Sequence, residues 1–325
     1  MSHSLPRPMR PHSPPGEKGK TRRGTCVVLF GAGLSLLSPW LAAAAADRAE
    51  RRANKAQTPP PTHPPLQGVE IATMPAGQER TDVFLLLGQS NMKGRGIMPD
   101  EPARDPRIVM MHLRDDRWYV ARHPLHLVGD ARTFQGADNA GVGPGLAFAE
   151  ALLARNPRAR IALVPCAVGG SSINLWQKGA RLYDAALRRA LLARQATAST
   201  GGVIRGALWL QGEADATAAG LPAHEAKLLK LVDDLRADLG IPDLPFLACT
   251  IGEMTRPDDD PARLRLKAEM NRLLLSLPTK RPHADSVDAR ELTTHLGDFV
   301  HFDAATQNEI GRRYARQFLA IGAPR

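Results

Sequence analysis

The sequence predicts an α/β domain, a three-layer α/β/α sandwich in which a mainly parallel sheet lies between two layers of helices. Three observations favour this class: short apolar runs typical of buried strands, helical segments between them, and small or polar residues directly after several runs. Strands that alternate with helices form parallel sheets with both faces covered. The chain has 325 residues, 43% of them hydrophobic, and can therefore supply a sizeable core.

The elements follow from the chain in order. Buried strands are predicted for the apolar runs 83–87, 160–167, 203–210 and 245–251, and shorter strands or extended segments for 107–111, 118–128 and 286–289. Helices are predicted for 146–155, 180–195, 221–239, 263–277 and 303–321. Asp260 is expected to cap a helix whose first residue is Pro261. The arginines of 180–195 are interpreted as a solvated helix face.

Two segments of different composition precede the predicted domain, which spans residues 79–325. Residues 1–46 pass from a basic start through an apolar stretch to small residues, which is the order of a signal peptide or an N-terminal anchor. Residues 47–78 are rich in Pro, Ala and Arg and are interpreted as a disordered linker. We therefore expect an exported protein, periplasmic or secreted, that contacts a membrane only if its N-terminal segment remains uncleaved.

The charge and the cysteines indicate which partners, disulfides and cofactors to expect. The net charge is +10, of which residues 1–46 contribute +5, and the rest is spread along helical segments without interleaved aromatic residues. No nucleic-acid partner is therefore expected. Cys166 and Cys249 each lie near the end of an apolar run, where buried free thiols are the default, although export would permit a disulfide. No Cys/His spacing typical of zinc sites occurs, so neither a metal nor a cofactor is expected.

A serine in a turn after the first strand is the first candidate functional residue. Ser90 follows the run 83–87 and Gly88, where open α/β sheets bind ligands, although alone it would be interpreted as an ordinary turn or capping serine. Asp298 and His301, three residues apart before a helix, change that interpretation. A serine hydroxyl needs an imidazole to take its proton, and the imidazole needs a carboxylate to orient it.

The motifs around these residues resemble those of the SGNH hydrolase superfamily. Within it, the chain is similar to the branch that holds sialate O-acetylesterase-like proteins and the acetylxylan esterases of carbohydrate esterase family 6. The matching blocks are GQSNM at 88–92, VGGSS at 168–172, WLQGE at 209–213 and DFVH at 298–301. Each block is weak alone, but the four in order are specific. The resemblance implies a flavodoxin-like SGNH fold without a cofactor.

The resemblance also implies roles for the blocks. Ser90 would be the nucleophile, His301 the general base and Asp298 the residue that orients it. The oxyanion would be held by the N–H of Ser90, by that of Gly169 or Gly170, with no choice between the two, and by the Gln211 amide.

Three further residues are expected to support the site: Gln89, Asn91 and Glu213. For Glu213, orientation of the nucleophile loop and capping of the next segment both remain open.

The expected function is a serine acetylesterase that hydrolyses O-acetyl esters on sugars or polysaccharides, of the acetylxylan or sialate type. The expected partner is thus an acetylated carbohydrate. One alternative is an esterase or thioesterase for other acyl esters, and another is a non-catalytic carbohydrate-binding envelope protein. The polymer that would be deacetylated and the oligomeric state remain open.

Overall fold

The structure is a computed structural model that describes residues 80–100, 105–113, 115–126 and 140–322. The predicted signal or anchor (1–46) and linker (47–78) lie outside these residues. Within the described ranges, no helix combines the length and apolar character needed to cross a membrane.

A seven-stranded sheet forms the centre of the described part of the chain. Its strands are β1 (Thr81–Gly88), β2 (Ile108–Met111), β3 (Trp118–Val120), β4 (Arg160–Pro165), β5 (Val203–Leu210), β6 (Phe246–Cys249) and β7 (Ala284–Val287). The order across the sheet is β3-β2-β4-β1-β5-β6-β7. Only β2 and β3 pair antiparallel, at one edge, and all other neighbours are parallel. The predicted α/β class with a mainly parallel sheet is confirmed.

The α-helices of the described residues are α1 (Ser90–Lys93), α2 (Pro144–Arg155), α3 (Arg181–Thr197), α4 (Leu221–Leu239), α5 (Pro261–Leu275) and α6 (Ala304–Gly322). The predicted bounds of α4 and β5 are confirmed at both ends. Asp260 caps α5 as expected, because its carboxylate accepts a hydrogen bond from the Ala262 N–H at 2.8 Å. The strand predicted at 286–289 begins two residues earlier, since Ala284 pairs with Phe246 of the neighbouring strand.

Alternation along β1 divides the core into two layers. Val83, Leu85 and Leu87 belong to a cluster on one face that includes residues of α3, α4 and α5. Phe84 and Leu86 belong to a cluster on the other face that includes residues of α2 and α6. Successive side chains of a strand point to opposite faces, so β1 is buried on both sides. The sheet therefore lies between two layers of helices, as the predicted three-layer sandwich requires.

The structure tests two expectations about particular residues, the state of the cysteines and the exposure of the arginines. Cys166 and Cys249 are both buried and free, and they belong to the clusters on opposite faces of the sheet. The prediction that the arginines of 180–195 form a solvated face is wrong for Arg189, which is buried. Its guanidinium donates hydrogen bonds to the carbonyl oxygens of Met111 at 2.8 Å and His112 at 3.3 Å, so it satisfies the backbone where β2 ends.

Candidate active site

Three turns meet at the carboxyl edge of the sheet, each after one of the neighbouring strands β4, β1 and β5. They contain Ser90, the glycine pair 169–170 and the segment 211–213. The carboxyl ends of parallel strands lie at one edge, and ligands of open α/β sheets bind there. The strand order therefore brings together three of the four predicted blocks.

The turn that carries Ser90 requires glycine at its first position. Gly88 has φ +128°, and a Cβ there would lie 2.1 Å from the Leu210 carbonyl oxygen. Gln89 then joins this turn to the strand and turn beside it. Its N–H donates to the Leu210 carbonyl at 2.9 Å, and its side-chain oxygen accepts a hydrogen bond from the Ala214 N–H at 3.3 Å. Ser90 begins α1, whose first N–H groups have no partner within the helix.

Ser90, His301 and Asp298 lie in hydrogen-bond contact with one another. Ser90 Oγ lies 2.9 Å from His301 Nε2, and Asp298 Oδ2 lies 2.5 Å from His301 Nδ1. The other oxygen of Asp298 accepts hydrogen bonds from the N–H groups of Val300 at 3.0 Å and His301 at 2.9 Å. One carboxylate thus orients both the backbone and the ring of the histidine.

The electrostatics of Asp298 match this arrangement. Partial burial raises the pKa of its carboxyl group, but the hydrogen bonds from the backbone and ring of His301 and from the Val300 N–H lower it to about 2. A carboxylate that accepts several hydrogen bonds stays ionised. Asp298 is therefore negatively charged near neutral pH and faces the imidazole that it orients.

Two arginines border the Asp298 side of the site. The Arg256 guanidinium donates a hydrogen bond to the Asp298 carbonyl oxygen at 2.7 Å and lies 5.8 Å from the centre of the Phe299 ring. Arg95 is half-buried; burial lowers the pKa of its guanidinium, and the charge of Asp298 opposes that shift. Two guanidinium groups therefore lie near the ionised Asp298.

The two glycines after β4 have different surroundings. A Cβ at Gly169 would lie 3.8 Å from the Ser90 Cβ, so the backbone of Gly169 passes beside the candidate nucleophile. Gly170 has φ +67°, and a Cβ there would have no neighbour within 4 Å. Gly170 thus allows the left-handed turn, whereas Gly169 is the glycine next to Ser90.

The expectation that the Gln211 amide is free to donate to an oxyanion requires correction. Gln211 is fully buried, and its amide nitrogen donates to the Ser171 carbonyl at 3.1 Å and to Asp215 Oδ2 at 2.6 Å. Both hydrogens of the amide therefore have partners inside the protein. In this arrangement Gln211 holds the glycine turn in place.

Asp215 is a residue that sequence reasoning missed. It is buried, and besides Gln211 it accepts hydrogen bonds from the Ser172 hydroxyl at 2.6 Å and the Ile173 N–H at 2.7 Å. Its position two residues after the WLQGE block was the available signal. A carboxylate buried in that turn needs several hydrogen-bond donors, which points to a role in holding the site together. Asp215 therefore connects the turn after β5 to the turn after β4.

The pKa of Asp215 reflects these donors. Burial raises it, but His224, Ser172, the Ile173 N–H and Gln211 together lower it to about 2. The His224 ring nitrogen Nδ1 lies 3.6 Å from the carboxylate. Asp215 is thus ionised near neutral pH despite its burial.

Asn91 and Glu213 contact each other behind the turn that carries Ser90. Asn91 Nδ2 donates to Glu213 Oε1 at 2.6 Å, and Asn91 also binds backbone groups on both sides of His301. Glu213 therefore lies behind the nucleophile turn and does not cap the segment that follows it. Among the described residues, no group of three or more His, Cys, Asp or Glu side chains could hold a metal ion.

Comparisons with known proteins agree with the fold and the sequence blocks. Residues 80–320 match the family model described as "Carbohydrate esterase, sialic acid-specific acetylesterase". A relative named a probable carbohydrate esterase of Arabidopsis thaliana is 32% identical over 260 residues, which cover 73% of this chain and 90% of the relative.

Solved structures show the same fold. The X-ray structure of the Arabidopsis thaliana protein has a TM-score of 0.61 at 30% identity and covers 75% of this chain and 99% of its own. The crystal structure of NanS has a TM-score of 0.61 at 19% identity, with 75% and 98% covered. The second likeness bears on the fold alone.

Proposed function

This chain belongs to the carbohydrate esterase family of sialic acid-specific acetylesterases, and from that premise we propose that it removes O-acetyl groups from sugars by serine catalysis. Membership makes it a carboxylic ester hydrolase and sets aside the alternative of a non-catalytic binding protein. One observation carries the proposed mechanism: Ser90 Oγ lies 2.9 Å from His301 Nε2, and the opposite ring nitrogen contacts Asp298.

The first half of the reaction transfers the acetyl group to the enzyme. His301 takes the proton of the Ser90 hydroxyl while Ser90 Oγ attacks the acetyl carbonyl carbon. The ionised Asp298 holds the ring in the tautomer that can accept this proton and stabilises the imidazolium that forms. When the tetrahedral intermediate collapses, the sugar oxygen leaves and takes the proton from His301. The products of this half are the free sugar hydroxyl and an acetyl ester on Ser90.

The second half regenerates the enzyme. A water molecule gives one proton to His301 and attacks the acetyl carbonyl carbon, and the new intermediate collapses to release acetic acid. The proton on His301 returns to Ser90 Oγ. The reaction therefore uses these three side chains and water.

Two backbone donors are proposed for the oxyanion. The Ser90 N–H lies at the first residue of α1, and the Gly169 backbone lies beside Ser90. Each such donor contributes roughly 10²–10³ in turnover. Gln211 acts through Asp215 and Ser171 by keeping the glycine turn in place, because its amide hydrogens are directed to these two residues.

Among acetylated sugars, the two arginines near Asp298 favour one that carries a carboxylate. Arg95 and Arg256 border the same side of the site, and a guanidinium binds carboxylates well. An O-acetylated sialic acid has such a group, whereas the xylan backbone is neutral. The sialate type is therefore the first substrate to test, with acetylxylan as the alternative.

Acetate release from O-acetylated sialic acid and from acetylated xylan, measured side by side, tests the proposal, with the Ser90→Ala variant as the control. Release that disappears in the variant would support Ser90 as the nucleophile. Unchanged release in a folded Ser90→Ala protein would refute the mechanism. An esterase or thioesterase for longer acyl groups would hydrolyse butyryl esters at least as well as acetyl esters, which we do not expect.

A further inference from the structure

We propose that Asn91 and Glu213 act as positioning residues that hold the His301 loop against Ser90. Asn91 follows the candidate nucleophile directly, and Glu213 lies in the turn after β5. The two residues, with the hydrogen bonds they make, are called the Asn91–Glu213 clamp below. This inference rests on the proposed function, since it concerns how the proposed nucleophile and base are kept together.

Asn91 binds the backbone on both sides of His301. Its Nδ2 donates to the Val300 carbonyl at 3.0 Å, and its Oδ1 accepts a hydrogen bond from the Phe302 N–H at 3.2 Å. Gln307 of α6 adds a longer hydrogen bond to the same oxygen at 3.4 Å. The residues before and after the candidate base are thus both bound to the residue next to the candidate nucleophile.

Glu213 determines which way the Asn91 amide points. Asn91 Nδ2 donates to Glu213 Oε1 at 2.6 Å, so the nitrogen of the amide must face the carboxylate and the oxygen must face Phe302. If the amide were reversed, its oxygen would oppose both Glu213 and the Val300 carbonyl. Burial raises the pKa of Glu213, and the Asn91 hydrogen bond opposes that shift. A carboxyl group at this depth needs such a donor.

The need for a clamp follows from the position of His301. The base lies in a loop, 211 residues from Ser90 in sequence, and a 2.9 Å contact joins the two side chains. Asp298 orients the ring from its other side but lies in the same loop, so it cannot maintain the distance to Ser90. Asn91 is fully buried and has no route to the substrate. Its removal should therefore lower turnover, while the Michaelis constant should change little.

The first test compares Asn91→Ala with wild type on a small acetyl ester. We expect kcat to fall about 100-fold, the cost of a displacement of about 1 Å in a catalytic group, while KM changes less than about threefold. The rate at which a fluorophosphonate labels Ser90 should fall in parallel, since labelling also needs the base.

Asn271→Ala supplies a matched control. Asn271 is also fully buried, and its Nδ2 donates to Glu253 at 2.9 Å and to the Ile251 carbonyl at 3.0 Å, while its Oδ1 accepts from the Ile251 N–H at 2.8 Å. It therefore loses an equivalent set of hydrogen bonds at a place that does not contact His301. We expect a comparable fall in Tm with kcat within about twofold of wild type.

A second variant keeps the test valid if Asn91→Ala does not fold. Asn91→Asp retains an oxygen for the Phe302 N–H but sets an acceptor against both Glu213 and the Val300 carbonyl, so kcat should again fall. Adding Glu213→Gln restores a donor to that contact and should recover part of the lost kcat, at least about fivefold, as expected for residues that act through one contact. No recovery would count against the clamp.

Three further results would overturn the inference. They are wild-type kcat and labelling rate in the Asn91 variants, an equal loss of kcat in Asn271→Ala, and a change confined to KM. Ser90→Ala separates this failure from failure of the proposed function. Activity lost in Ser90→Ala but kept in Asn91→Ala overturns the clamp alone, whereas activity kept in both overturns the proposed function and the clamp with it.

Discussion

Replacing Asp215 with asparagine isolates the contribution of its charge to stability. The substitution preserves shape, and one oxygen can still accept the hydrogen bonds from the Ile173 N–H and Gln211. The new amide would face the Ser172 hydroxyl, which can rotate to accept. In the wild-type protein the buried Asp215 carboxylate accepts three short hydrogen bonds, from Ser172, Ile173 and Gln211. The main loss in the variant is therefore the negative charge of this carboxylate.

The magnitude of that loss follows from the pKa of Asp215. The carboxyl group has a pKa of about 2 in the folded chain and 3.8 as a reference. The difference corresponds to about 2 kcal/mol of stability at neutral pH. Because the folded pKa is depressed, this contribution is complete above the unfolded pKa and disappears as the pH falls through the folded pKa. Wild type should therefore exceed Asp215→Asn by about 2 kcal/mol at pH 7 and by about half of that at pH 3.

Urea unfolding of both proteins between pH 7 and pH 3 measures this difference. Asp298 and Glu309 also have pKa values of about 2, but they are present in both proteins and cancel in the comparison. Asp233→Asn, at an exposed ion pair with Arg281, should change stability little and serves as the control. A stability gap that is absent at pH 7, or that stays constant as the pH falls, would refute the assigned role of the charge.

Three further predictions concern other parts of the domain. In Asp298→Asn, kcat on an acetyl ester should fall by about 10³–10⁴-fold, since an amide cannot keep His301 in the proton-accepting tautomer; wild-type kinetics in a folded variant would exclude that role. Gly88→Ala should lower Tm strongly or prevent soluble expression, because its Cβ would lie 2.1 Å from the Leu210 carbonyl oxygen; a Tm equal to that of wild type would contradict the required glycine. Arg189→Leu removes the guanidinium that binds the Met111 and His112 carbonyl oxygens and pairs with Asp116, so it should cost about 2–4 kcal/mol in urea unfolding. A smaller effect than that of an exposed arginine such as Arg181 would show that this interpretation is wrong.

The sequence alone determined the elements and the chemical types at the site. The bounds of β5 and α4 were predicted at both ends, because apolar runs and helix ends depend on residues only a few positions apart. The contact between Asp298 and His301 could also be predicted locally, because a spacing of three residues allows the carboxylate to reach the ring. A serine in the turn after a buried strand was likewise visible as a local pattern.

The tertiary structure decided which polar groups meet. Gln211 carries the amide that the motif predicts, but the neighbouring turn supplies Ser171 and its own turn supplies Asp215, and these two take its hydrogens. The two glycines of the motif are distinguished by their places in the folded turn: Gly169 lies beside Ser90, and Gly170 takes the left-handed φ.

The physical reason lies in the range of the interactions. Backbone periodicity and capping act between residues close in sequence, so they can be read from short segments. A buried amide or carboxylate must find its partners wherever the sheet order brings them. Asn91 and the Val300 carbonyl are 209 residues apart, yet they meet because β1 lies at the centre of the sheet and the loop before α6 returns to its carboxyl edge.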